Sequence, residues 1–174
     1  GLAVDLQRAA HLAEARGWRK TRACSGGVRR QDSVSAALQL LGRVDWVLVH
    51  DGDRPFLTRK LVQDGIVAAR ETGAAVAAVR SKDTIKIVDS SDTVVETPSR
   101  DMLRAVQTPQ VFRADVLRRA YASFNDTVTD DATLVERLGC RVRLYEGTYE
   151  NVKVTTPDDL VIARAIARRW RGAQ

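Results

Sequence analysis

Apolar and polar positions along the chain fall into blocks, and the period changes from block to block. Leu2 to Arg16 carries apolar residues at helical spacing, and Gly17 is a natural stop for that helix. Thr21 to Cys24 is a short strand candidate, followed by a glycine and arginine loop from Ser25 to Gln31. Asp32 or Ser33 is placed to cap a helix running to about Leu41. Trp46 to His50 is an apolar burst of the kind that buried parallel strands show. Thr58 opens another helix ending near Gly73, and Ala74 to Val79 reads as a buried strand. This alternation predicts an α/β fold, a mostly parallel, doubly wound sheet with helices on both faces.

The middle of the chain breaks the rhythm. Residues 82–98 hold two alternating strands, Thr84 to Val88 and Thr93 to Thr97, around an Asp/Ser turn. That pattern predicts a hairpin arm protruding from the sheet. Ser99 is placed to cap a short helix through Leu103, and Gln107-Thr108-Pro109-Gln110 reads as a kinked loop. Helices are predicted at about Ala114 to Ser123 and Thr129 to Leu138, with strands at Arg141 to Tyr145 and Asn151 to Val154. Thr156 caps a last helix, with Pro157 at its first position and Asp158 and Asp159 in its first turn.

Composition narrows the function classes. The 174 residues are read as one domain, 44% apolar and 29% charged, as in soluble globular proteins. No stretch approaches the roughly 20 apolar residues needed to span a bilayer. The net charge of +6 is spread among acids, and only Arg164, Arg168, Arg169 and Arg171 cluster, in the last turns of a helix. With aromatics at 5%, a nucleic-acid surface is not expected, whereas a small anionic substrate is. Cys24 and Cys140 show no metal-ligand spacing and are expected to be reduced thiols in a cytoplasmic setting.

The chemistry is concentrated where apolar runs end. The strand Trp46 to Val49 runs into His50-Asp51-Gly52-Asp53-Arg54-Pro55. Ligands of open α/β sheets bind outside the carboxyl ends of strands. There a carboxylate can hold a metal ion or a ribose hydroxyl, and an arginine can grip phosphate. Gly26 and Gly27 ahead of a helix suit an anion, as does Lys153 in the late strand. Both histidines, His11 and His50, lack a neighbouring Ser or Cys nucleophile pattern, and His50 is read as a core residue rather than a base. The expected chemistry is positioning plus charge neutralisation, as in phosphoryl or nucleotidyl transfer.

Six short motifs occur in order. They are Gly26-Gly27 with Arg30-Gln31-Asp32-Ser33-Val34, Val47 to Asp51 with Arg54-Pro55, Asp83 to Lys86, Val106 to Phe112, Thr129 to Ala132, and Glu146-Gly147 with Asn151 to Leu160. As an ordered set they resemble the 2-C-methyl-D-erythritol 4-phosphate cytidylyltransferase family. The resemblance implies a Rossmann-like nucleotidyltransferase domain and a homodimer formed through the β-arm. It also implies a reaction of CTP and methylerythritol phosphate, with Mg2+, that yields a CDP-alditol for non-mevalonate isoprenoid synthesis and releases pyrophosphate. Gly27, Ser33, Asp51 and Gly52 resemble positions lining the CTP site. Asp51, Arg54, Thr84 and Thr108 resemble those around the acceptor. Lys153 and Arg100 resemble the basic pair that positions the attacking phosphate, Arg100 reaching across the dimer.

The chain also departs from the family pattern. Gly52-Asp53 stands where two alanines are usual, and Val28 replaces an acidic or small polar residue. A carboxylate at 53 is tolerable only if it points away from the triphosphate. Residues 1–25 match no part of the family's Pro-Ala-Ala-Gly loop that cradles the triphosphate. The chain is therefore expected to be N-terminally incomplete and inactive on its own. Two alternatives stay open: a ribitol-5-phosphate cytidylyltransferase and a non-catalytic dimerising relative. The enzymatic reading requires Asp51, Arg54, Thr84, Thr108 and Lys153 to share one pocket.

Overall fold

The computed structural model describes residues 3–172. Its elements run α1 (Ala3–Ala15), α2 (Arg30–Leu40), β1 (Trp46–Val49), α3 (Arg59–Thr72), β2 (Ala74–Arg80), β3 (Ile87–Val88), β4 (Val94–Glu96), β5 (Arg104–Arg113), α4 (Ala114–Ser123), α5 (Asp131–Arg137), β6 (Arg143–Glu146) and α6 (Pro157–Gly172). Leu2, in the first predicted helix, lies outside the described residues.

The main sheet has the order β1-β5-β2-β6. β1, β2 and β6 point the same way, and β5 is inserted antiparallel between β1 and β2. Side chains alternate across the sheet as the pleat requires. Val47, Val76 and Phe112 face α2, α4 and α5, where Leu38, Leu117 and Leu134 complete the larger core. Leu48, Ala75 and Val111 face α3, which brings Ile66 and Ala69. Leu117, Leu134 and Phe112 are fully buried, each stabilising the fold by about 1.5–3 kcal/mol. The arrangement is the expected α/β one, with helices on both faces.

Long-range pairing moved several boundaries. Gln107 to Gln110 is not a loop but the buried middle of β5. The step from Val76 to Ala78 on β2 faces the longer step from Gln110 back to Val106 on β5. The extra β5 residues form an irregularity where Pro109, which has no N–H, can sit inside a strand. Thr21 to Cys24 forms no strand, since it finds no ladder partner among the described residues. Asn151 to Val154 forms no strand: Asn151 N–H donates to the Thr148 carbonyl at 3.0 Å and Val154 N–H to the Asp53 carbonyl at 2.8 Å.

Capping corrects two further expectations. α2 starts earlier than predicted, with Arg29 as its N-cap. Asp32 lies in its first turn and accepts from Arg29 N–H at 3.0 Å. Ser99 precedes only a single 3-10 turn, Arg100–Met102, and makes no side-chain cap. Thr58 does cap α3, accepting from Leu61 N–H, and Gly73 ends it with φ +83°. α6 packs by Ala163 and Ile166 against Phe56, whose ring meets Trp170 edge to face at 5.3 Å. That contact pins the loop after β1 and the segment carrying Lys153 to the same helix.

Candidate active site

β1 ends at Val49, and the next two residues organise the cleft. The Asp51 carboxylate meets three cations: Arg30 Nε at 3.3 Å, Lys153 Nζ at 3.4 Å and Arg54 Nε at 3.5 Å. Its backbone N–H donates to Thr108 Oγ1 at 3.0 Å. Burial pushes the Asp51 carboxyl toward higher pKa, but Lys153 and Arg30 outweigh it and hold the group below the usual carboxylate range. Asp51 is therefore an anion at neutral pH, an anchor and a hydrogen-bond acceptor rather than a proton donor.

Each partner has its own support. Arg54 donates to the Asn151 carbonyl at 2.8 Å. Arg30 also bonds Asp131, at 2.7 Å, and this second carboxylate is fully buried. Tyr121 OH donates to the other Asp131 oxygen. Burial, then the Asp131 hydrogen bond, push the Tyr121 phenol far up, so it stays protonated. Thr108 is held from behind by the buried Asn151 amide, which donates to the Thr108 carbonyl at 2.7 Å. Gln110 fixes the start of α5, donating to Asp130 at 2.8 Å and accepting from Ala132 N–H at 3.1 Å. Lys153 is the loosest cation: its side chain is 42% exposed, against 33% for Arg30 and 12% for Arg54. It is the group best able to leave Asp51 for an incoming phosphate.

A cavity of about 260 Å³ is lined by Arg30, Asp51, Arg54, Thr108 and Lys153. A second, of about 480 Å³, is lined by Ser33, His50, Asp51 and Gly52 over the apolar side of α2 and β1. Arg30 and Asp51 border both. The site thus has two adjoining compartments, a small charged one and a larger, partly apolar one. A further cavity, about 580 Å³, opens beside β2 and β6, and none of the predicted site residues lines it.

The predicted residues divide accordingly. Asp51, Arg54, Thr108 and Lys153 gather in the charged compartment. Ser33 and Gly52 line the larger one. Gly27 stands behind Ser33, its N–H donating to Ser33 Oγ at 3.0 Å. A Cβ on Gly27 would lie 2.1 Å from Asp32 Cβ, so no side chain fits there. Thr84 lines neither compartment, which corrects the expectation that it shares one pocket with Asp51, Arg54, Thr108 and Lys153. The arm that carries it projects from the sheet. Arg100 lies at the base of the same arm, exposed, donating to the Lys82 carbonyl at 3.3 Å. Asp53 lines neither compartment. One oxygen stands 3.9 Å from Lys153, and the other is buried without a partner. Gly52 faces open space, so the alanine usual there would meet nothing.

Sequence reasoning assigned no role to Arg30, Asp131, Tyr121 or His50. Arg30 and Asp131 both fall inside the recognised motifs, and that was the available signal. Their pairing, across 101 positions of sequence, was not readable. His50 is half-buried and hydrogen-bonded on both ring nitrogens, so its reading as a plain core residue was wrong. Among the described residues no three Asp, Glu, His or Cys side chains gather as a metal site. No described helix is long and apolar enough to cross a membrane.

Known proteins resemble this chain in sequence and in fold. A family model described as IspD, 2-C-methyl-D-erythritol 4-phosphate cytidylyltransferase, matches residues 1–169. A protein of that description from Dehalococcoides mccartyi is 45% identical over 168 residues, covering 96% of this chain and 74% of the relative. One from Bacillus mycoides is 52% identical over 143 residues, 80% of this chain and 63% of the relative. The chain thus spans between about two thirds and three quarters of these curated relatives. Among solved structures, the Thermus thermophilus enzyme of the same description superposes with a TM-score of 0.76 at 40% identity, covering 83% of this chain and 72% of that one. The 4-diphosphocytidyl-2C-methyl-D-erythritol synthase of Anaerococcus prevotii gives 0.83 at 32% identity, covering 92% and 78%.

Proposed function

The chain belongs to the 2-C-methyl-D-erythritol 4-phosphate cytidylyltransferase family, and we propose that it serves cytidylyl transfer from CTP to methylerythritol phosphate in non-mevalonate isoprenoid synthesis. The observation that supports this most is the convergence of Arg30, Arg54 and Lys153 on Asp51 beside Thr108. The small charged compartment is assigned to the acceptor phosphate and its alditol. The larger compartment, bordered by Ser33 and Gly52 with Gly27 behind, is assigned to the nucleotide.

The reaction in this reading is attack of an acceptor phosphate oxygen on the α-phosphorus of CTP, with pyrophosphate leaving. A phosphate monoester is mostly dianionic near neutral pH, its second pKa being about 6. The nucleophile therefore needs no general base, and the ionised Asp51 is not asked to be one. What the protein must supply is alignment and compensation of charge. Arg54, held by the Asn151 carbonyl, gives a fixed cation. Lys153 gives one that can exchange its carboxylates for phosphate. Arg100, with Thr84, belongs to the arm and is assigned to the site of a second copy in a homodimer. The exposed Ile87, Val88, Val94 and Val95 supply an apolar surface for such a contact. The Asp51 carboxylate is ringed by cations, so these residues do not fit a protein-held divalent ion. Magnesium is assigned to the triphosphate of CTP, as part of that substrate. The reduced-thiol reading of Cys24 and Cys140 supports a cytoplasmic setting.

The chain covers only part of its relatives, so acceptor binding is the sharper test. Isothermal titration with methylerythritol phosphate should show one site per chain, lost on Arg54→Ala. Equal binding of ribitol 5-phosphate would move the acceptor assignment, and no binding of either alditol phosphate would overturn the reading.

A further inference from the structure

His50 touches two atoms whose chemistry fixes where its proton lies. Its Nε2 is 2.9 Å from the Arg54 carbonyl oxygen, which can only accept. In the neutral imidazole the single N–H must then be on Nε2, leaving Nδ1 as a bare acceptor. Nδ1 lies 3.0 Å from Thr108 Oγ1, so the threonine hydroxyl must be the donor. The same hydroxyl accepts the Asp51 N–H at 3.0 Å. Its one proton and one of its two lone pairs are thus committed inside the protein.

Thr108 lines the charged compartment, and a single lone pair remains on its hydroxyl. A lone pair repels a phosphate oxygen and accepts from an alcohol. Arg54, whose carbonyl orients the imidazole, sends its own guanidinium to Asp51 and the Asn151 carbonyl. The compartment therefore has a cationic side and an acceptor side.

We propose that His50 is a positioning residue that, by taking the Thr108 hydroxyl proton, turns Thr108 into an obligate acceptor that reads a ligand hydroxyl. This deepens the acceptor-site reading and rests on it. The phosphate is directed to Lys153, Arg54 and Arg30, and an alcohol group of the alditol to Thr108. A ligand bound backwards would set phosphate oxygens against that lone pair.

The test has two parts. First, nitrogen NMR of the imidazole in the unliganded 174-residue chain at neutral pH should show His50 protonated on Nε2 and bare on Nδ1. A proton on Nδ1 overturns the proposal whatever the chain binds. Second, calorimetric titration with methylerythritol phosphate and with inorganic phosphate compares wild type with His50→Leu, His50→Asn and His50→Gln. His50→Leu frees the threonine proton and should weaken methylerythritol phosphate about tenfold, the effect of one hydrogen bond, with inorganic phosphate unchanged. Unchanged phosphate binding also shows that the variant is folded. His50→Asn, whose amide oxygen can stand near the place of Nδ1, should recover most of the loss. His50→Gln, which reaches only toward the Arg54 carbonyl, should not. Equal methylerythritol phosphate affinity in wild type and His50→Leu, or parallel loss of both ligands in every variant, overturns the positioning role. A wild-type chain that binds no alditol phosphate overturns the parent reading instead, and the imidazole spectrum is still read independently of it.

Discussion

The neighbourhood of Asp51 and the arm between Lys82 and Pro98 are built on opposite plans. Around Asp51, three cations and the Thr108 hydroxyl converge from four separate stretches of chain. Behind them a buried carboxylate, Asp131, and a buried amide, Asn151, hold Arg30 and Thr108 in place. The arm holds itself. Among the described residues its two short strands pair only with each other, and Asp89 organises the turn by accepting from Ser91 and Thr93. Its apolar side chains are exposed. Isolated two-stranded hairpins are marginal in water. The site is thus pre-organised within one chain, while the arm presents surface that calls for a cover.

The contrast can be broken first at its strongest point. Asp131→Ala should strip Arg30 and Tyr121 of their shared partner at once. A loss of about 2–3 kcal/mol is expected, less than the roughly 3–5 kcal/mol of a wholly orphaned buried charge, because Arg30 retains Asp51 and some solvent. Denaturant unfolding measures it, and a loss below about 0.5 kcal/mol would show that the ring around Asp51 does not depend on this support.

Next comes the loosely held cation. Lys153→Ala should weaken methylerythritol phosphate binding about thirtyfold, near 2 kcal/mol for a charge-assisted contact. Unfolding stability should barely change, because exposed ion pairs contribute little. If the melting temperature falls as far as the affinity, Lys153 is a structural residue and its assignment to phosphate fails.

The arm should respond in the opposite sense. Val95→Asp places a charge on the exposed apolar face and should raise the dimer dissociation constant at least about tenfold by sedimentation. The unfolding free energy of the body of the chain should stay the same. A wild-type chain that sediments as a monomer at all concentrations would remove the proposed cover altogether.

The smallest effect is the pH response of the turn. Hydrogen bonds from the Ser91 hydroxyl and from the Ser91 and Thr93 amides hold the Asp89 carboxyl below its ordinary 3.8. A depressed carboxyl stabilises the turn at pH values above 3.8 and loses that contribution as acid carries it through its lower folded value. Exchange of the Ser91 and Thr93 amides should therefore quicken relative to the sheet amides only below that ordinary value. An equal response in Asp89→Asn would rule the carboxylate out as its cause.

The two regions also differ in how much of them could be read from sequence. The arm is local. Alternating residues and an Asp/Ser turn announced it, and the hairpin formed where that pattern lay. The site was legible residue by residue but not as a set. Asp51 and Arg54 were visible because an apolar run ended in them. Lys153 and Thr108 were visible only through ordered motifs. Gln107 to Gln110 looked like a loop because Pro109 breaks local periodicity. It became the buried core of β5 because strands on both sides demanded hydrogen-bond partners. His50 looked inert because its near partner, the Arg54 carbonyl, is a backbone group that leaves no mark in the sequence. Thr108, its partner, is 58 residues away.

By itself the amino-acid order determined the helices, most strands, the hairpin and the kinds of side chain placed at strand ends, because those depend on steric and solvation preferences over a few neighbours. Only the tertiary structure decided that β5 runs antiparallel through the middle of the sheet, that Arg30 spans Asp51 and Asp131, that Thr84 leaves with the arm, and that His50 lies between the Arg54 carbonyl and the Thr108 hydroxyl. Each of these depends on which distant segment comes to lie alongside, and a chain acquires such neighbours only when the apolar faces of sheet and helices are buried together.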